Sequence, residues 1–153
     1  MDRKIMKLRR LCQLDVDAAG AYEAAITRVG VPMLKDKLTE FRGDHIRHVV
    51  ALNDLLRRLG AQPVREVPDF KGTVLKGFTA LTSMMGNEAA LMAMLGNEEL
   101  TTRTYHSALR MDWNGEERAL IERHYEDERR HLAWIKQAAR HREWTRRETE
   151  AHP

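Results

Sequence analysis

The 153-residue sequence is short of several things, and each shortage removes a class of protein. A single cysteine, Cys12, excludes an internal disulfide, argues against a thiolate zinc or iron–sulfur site, and fits a reducing, cytoplasmic setting. No apolar run approaches the ~20 residues that a membrane-spanning helix needs. The start, Met1 to Lys7, is basic but lacks the apolar block and small-residue cleavage site of a secretory signal. There is no alternating run of β-branched residues, so strands have no support. The net charge is only +3 and the basic residues are interleaved with acidic ones, which argues against nucleic acid as a partner.

What the chain has is helical periodicity. With 42% hydrophobic and 32% charged residues, it suits amphipathic helices around one core. Leu8, Leu11, Ala18, Tyr22, Ala25, Ile26 and Val29 recur at three- and four-residue steps, predicting a helix over about residues 2–29. Gly30-Val31-Pro32 breaks the pattern. A second helix carries Leu34, Leu38, Phe41, His45, His48, Leu52, Leu55, Leu56 and Leu59, and ends at Gly60. Residues 60–72, with two prolines and two glycines, read as a long irregular crossover. A third helical stretch is expected over about 73–110, with a break near Gly77, Gly86 or Gly96. Asp112 to Gly115 reads as a turn, and a fourth helix as about 116–143. The expectation is an all-α four-helix bundle over residues 1–143, two antiparallel hairpins joined by a crossover, with a polar tail at 144–153.

Asp127-Glu128-Arg129-Arg130-His131 then stands out. On a helix, Glu128 and His131 share one face, a carboxylate and an imidazole of the kind that hold metals. Asp44-His45-Ile46-Arg47-His48 repeats the pattern D-x-x-R-H. A shift of 83 residues aligns the two halves without a gap. Leu8 falls on Leu91, Asp15 on Glu98, Tyr22 on Tyr105, Asp44 on Asp127 and His48 on His131. Apolar matches are expected between any two amphipathic hairpins. The polar matches are not, because a core-facing polar group is costly. Within each hairpin, residues equally far from the turn lie at equal depth. That sets Asp15 opposite His45 and His48, and Glu98 opposite Glu128 and His131. Glu23 lies two turns off this depth, and Glu99 points about 100° away from Glu98.

Asp15, His45, His48, Glu98, Glu128 and His131 are therefore the candidate metal ligands. Buried together without a cation, three carboxylates and three imidazoles repel one another or stay undersolvated. Mixed oxygen and nitrogen donors favour Fe or Mn, with Zn as a competitor, as one or two ions.

These motifs resemble the ferritin-like di-iron carboxylate proteins, in particular small bacterial ferritin-like domains. In that family a carboxylate comes from each of two helices and an E-x-x-H from each of the other two. A Tyr often follows the helix carboxylate by seven residues, as Tyr22 follows Asp15 and Tyr105 follows Glu98. The resemblance covers about residues 5–140. It implies oxygen or peroxide reduction coupled to Fe(II) oxidation, and a homodimer. It also implies that Asp44 and Asp127 each hold the ring N–H of a ligating His on the opposing segment, with Tyr22 and Tyr105 behind the ligand carboxylates. A metal-binding or storage-accessory module without turnover, or a small di-iron hydroxylase, are the alternatives. The sequence departs from the family at two places: His45 stands where a second bridging Glu is expected, and Asp15 is one methylene shorter than Glu. His106 and His124 have no repeat partner of their own type and read as ordinary helix residues.

Overall fold

A computed structural model describes residues 2–67 and 86–142. Among them the chain forms four helices and no strand: α1 (Arg3–Ile26), α2 (Pro32–Arg58), α3 (Asn87–Ala108) and α4 (Gly115–His141). The all-α four-helix bundle expected from periodicity is what the chain forms. The expected helical stretch over 73–85 and the polar tail at 144–153 lie outside the described residues.

The helix ends have local causes. Asp2 caps α1, its carboxylate accepting the Lys4 backbone N–H at 2.8 Å. Helix α1 stops at Ile26, three residues before the expected end, and Pro32 opens α2 at its first turn. Gly60, at φ 75°, ends α2: its N–H reaches Arg57 O while Ala61 N–H reaches Leu56 O. This pairing returns two otherwise unsatisfied carbonyls to the hydrogen-bond network and needs a left-handed residue. Asn114 and Glu117 form a reciprocal capping box at the start of α4.

Side-chain pairs give the helix directions. Asp15 meets His45 and Cys12 meets Asn53, so α1 and α2 are antiparallel. Thr101 meets Glu128 and Tyr105 meets His124, so α3 and α4 are antiparallel. Tyr22 bonds Glu98 and Tyr105 bonds Asp15, so α1 also opposes α3. His48 meets Asp127 and His131 meets Asp44, so α2 opposes α4. The order is up-down-down-up.

Two apolar layers fill the bundle. One gathers Val29, Leu34, Leu38, Phe41, Leu91, Met94 and Ile135; the other gathers Leu8, Leu11, Leu52, Leu56, Ala108 and Ile121. Between them lies a polar layer at the middle of all four helices. The apolar layers close it off from water on both sides along the bundle axis.

Candidate metal centre

The structure brings all six candidate ligands into that middle layer. Asp15, His45, Glu98, Glu128 and His131 are fully buried, and His48 is 2% exposed. Glu23 and Glu99 are exposed and take no part.

The contacts repeat across the 83-residue shift. Tyr22 donates its hydroxyl proton to Glu98, and its counterpart Tyr105 donates to Asp15. His48 Nε2 lies 2.9 Å from Asp127 Oδ2, and its counterpart His131 Nε2 lies 2.7 Å from Asp44 Oδ2. Each aspartate thus holds the outer ring nitrogen of a histidine on the opposite hairpin. With Nε2 carrying the proton, His131 Nδ1 keeps a free lone pair facing the middle of the bundle, while His48 Nδ1 lies 3.1 Å from Asp15 Oδ1. Arg130 joins the two aspartates, its Nη2 lying 2.6 Å from Asp44 Oδ2 and 3.3 Å from Asp127 Oδ1. Arg47 pairs with Asp44.

Donor atoms close into two groups of four. Asp15, His45, His48 and Glu128 form one; His45, Glu98, Glu128 and His131 form the other. Within each, one atom per residue lies within 4.8 Å of the rest. The 83-residue shift turns one group into the other, exchanging Asp15 with Glu98, His48 with His131, and His45 with Glu128. His45 and Glu128 belong to both.

The donor set fits a cation on a direct observation. Glu128 Oε1 and His131 Nδ1 are buried with no hydrogen-bond partner. Such orphaned atoms cost free energy, commonly about 1–3 kcal/mol each. Both belong to the same group of four. Glu128 Oε1 has His45 Nδ1 at 3.5 Å and His48 Nδ1 at 3.4 Å; His131 Nδ1 has Glu98 Oε1 at 3.4 Å. These are too long for good hydrogen bonds but suit two donors sharing one ion, which sit about 3–3.4 Å apart at metal–donor bonds near 2.1 Å. The buried His, Asp and Glu groups could therefore hold a metal ion.

Without a cation, protons balance the charges. Burial works against ionised Asp15, yet the His48 and His45 rings hold its carboxyl well below the usual range. Burial likewise opposes ionised Glu98, but His45 and its hydrogen bonds keep it low. Burial raises Glu128, the carboxyl most ready to stay neutral. Burial lowers His45, but the charges of Glu128 and Glu98 override this and carry it well above its ordinary value. His48 follows the same logic: Asp15 outweighs burial and brings it to about 10. Any entering cation must displace these protons.

Two residues of the layer escaped the sequence reading. Thr101 places its hydroxyl 3.0 Å from Glu98 Oε2 and 3.0 Å from Glu128 Oε2, where its one proton can serve either carboxylate. Its counterpart under the shift is Ala18. His124 is buried, stacks on His48 with ring centres 3.9 Å apart, and has Nδ1 3.2 Å from the Tyr105 hydroxyl. Its counterpart is Phe41, which stacks on His131 at 4.2 Å. A search for matching residue types misses this pair; a search for matching ring shape at the same offset finds it. His106 is exposed, as an ordinary helix residue would be.

Residues 3–111 match the model of a family described as a domain of unknown function, DUF2383. The chain belongs to that family. No curated protein and no solved structure matches it. The stretch matching DUF2383 spans α1 to α3 and contains Asp15, His45, His48 and Glu98. Glu128, His131, Asp127 and His124 lie on α4, beyond the matched residues. The centre thus combines four side chains of the DUF2383 segment with two from the final helix.

Proposed function

We propose that the protein is a ferritin-like metal-binding bundle and acts as a two-ion oxidoreductase, using Fe, or Fe with Mn, to reduce O2 or peroxide as Fe(II) is oxidised. The observation that carries this reading is the pair of symmetry-related donor groups sharing His45 and Glu128, with two lone-pair-bearing atoms left orphaned. Asp15 and His48 would hold one ion, Glu98 and His131 the other, and Glu128 would serve both. The ions supply the redox step. The chain supplies the rest. Asp44 and Asp127 fix the two imidazole tautomers, Tyr22 and Tyr105 hold the terminal carboxylates in place, and the apolar layers exclude water.

Anaerobic titration with Fe(II) followed by oxygen tests the reading. A ferric absorption band in the near ultraviolet is expected, and a Glu128→Ala, His131→Ala double variant should lose it. An unchanged spectrum in the double variant refutes the assignment.

A specific observation favours a second reading. His45 makes contacts of hydrogen-bond length to Asp15 at 2.7 Å and Glu98 at 3.0 Å, so one protonated ring can join both halves. That suits a module holding a single Fe or Zn without turnover. One tightly held Zn per chain, with no oxygen consumed on adding Fe(II), would decide for it.

A further inference from the structure

His45 breaks the symmetry of the layer, and its orientation says what the break does. A neutral imidazole in place of a bridging carboxylate removes one negative charge from a two-ion site. Asp15, Glu98 and Glu128 leave three charges against four on two divalent ions. The ring, however, lies across the boundary between the two donor groups. Nδ1 is 2.7 Å from Asp15 Oδ1 and 3.5 Å from Glu128 Oε1, inside one group; Nε2 is 3.0 Å from Glu98 Oε1, inside the other. Each nitrogen keeps the company of a different terminal carboxylate. Tyr22 lies beside the ring at 5.3 Å between centres, and the ring is fully buried, so it has no room to turn to water.

We infer that His45 bridges the two ions of the proposed centre, giving Nδ1 to the Asp15–His48 half and Nε2 to the Glu98–His131 half. This inference rests on the two-ion reading above. An imidazole can bind two metals only when both nitrogens are free of protons, so the ring enters as imidazolate. That species carries the fourth negative charge, and the count against two divalent ions returns to zero. The proton it loses leaves to solvent as metal binds. His45 is then the functional counterpart of Glu128, not a gap in the pattern.

The full chain loaded with Zn(II), which is closed-shell and redox-silent, provides the test. Nitrogen-15 labelling of histidine, with His45 assigned, reports the state of each ring nitrogen by NMR. Two Zn per chain are expected, with no proton on either His45 nitrogen. His45→Ala should weaken the second ion at least about tenfold, the low end of what even an outer partner of a ligand contributes. His45→Glu restores a carboxylate bridge and should hold two ions; a lower content there counts against a bridging position. If His45→Ala does not fold, the wild-type spectrum decides alone. A proton retained on either His45 nitrogen with two Zn bound overturns the inference and leaves the metal site standing. So does a His45→Ala variant that keeps both ions at unchanged affinity. A single Zn per chain overturns the bridge as well. Failure to bind Zn(II), Co(II) or Fe(II) at all removes the two-ion reading itself.

Discussion

Replacing Asp44 by Asn asks whether the aspartates behind the histidines set the ligands. Asp44 accepts the His131 Nε2 proton at 2.7 Å and holds Arg130 at 2.6 Å, and it is 5% exposed. A carboxylate can only accept, so it forces the proton onto Nε2 and leaves Nδ1 bare. Asn is nearly isosteric but offers both a donor and an acceptor. With Arg130 competing for the acceptor oxygen, the amide N–H turns toward the ring and favours the other tautomer, which puts a proton on Nδ1. The orphaned lone pair of His131 is then lost as a ligand. Outer partners of metal-bound histidines are commonly worth about 10–100-fold in affinity, or about 1.4–2.7 kcal/mol. A hydrogen bond to a charged group contributes a similar ~1.5–3 kcal/mol, so the two scales agree. The effect should be confined to one half. Asp127→Asn, which touches His48 instead, should weaken the other ion, and by less, since Asp127 has a side chain 38% exposed and water can replace part of its bond. Chelator competition with Co(II) measures both affinities, and circular dichroism checks that the helices persist. Equal affinities for wild type and Asp44→Asn, within about twofold, would refute the tautomer argument.

The two tyrosines should differ. Tyr105→Phe strands Asp15 Oδ2 and His124 Nδ1, whereas Tyr22→Phe leaves Glu98 Oε1 with His45 Nε2 still 3.0 Å away. Tyr105→Phe should destabilise the metal-free protein by about 1–3 kcal/mol and Tyr22→Phe by less, about 0.5–1.5 kcal/mol, as read by urea unfolding. Two histidines shape the pH dependence of that stability with opposite signs. Burial, reinforced by the His48 charge, pushes His124 down to about 3, so from pH ~6.5 downward the unfolded chain takes up a proton that the folded one refuses, and stability falls. His48 stands at about 10 because Asp15 and its hydrogen bonds outweigh burial; its contribution is complete below pH ~6.5 and is lost as pH rises through 10. His124→Phe, which copies the Phe41 side, should flatten the acid limb in denaturant titrations from pH 7 to 4 and leave the alkaline limb in place.

Periodicity made the helices legible because each had one apolar face to bury, and the 83-residue repeat made the polar layer legible because costly buried polar groups rarely recur by chance at one offset. The depth argument selected Asp15 over Glu23, the angle around the helix selected Glu98 over Glu99, and burial separates those pairs in the same way. Helix ends were less legible. Thr27, not Gly30, caps α1, since the chain leaves the helix through ordinary right-handed geometry and needs no glycine. Thr101 could not be read because its counterpart is Ala18, and a lone threonine on a helix usually bonds its own backbone. His124 was hidden for another reason. The repeat preserves a flat ring over each imidazole, not a residue type, and Phe and His look unrelated until both are seen stacked.

Four of the differences between the halves fall on the site and form a consistent set. His45 replaces a carboxylate, Asp15 shortens one, Ala18 lacks the Thr101 hydroxyl, and His124 replaces the apolar Phe41. In the Glu98–His131 half, the terminal carboxylate is longer and Thr101 reaches it, and an apolar ring covers the histidine. In the Asp15–His48 half, the carboxylate has less reach, a second polar ring covers the histidine, and the aspartate behind it is more open to water. Burial of the histidine and of the aspartate behind it rises toward the Glu98–His131 half. Two ions held here would therefore sit in unequal fields even though a common repeat frames them. The shared pair, His45 and Glu128, is where that inequality is transmitted, because each contacts both halves and neither can change its protonation without altering both.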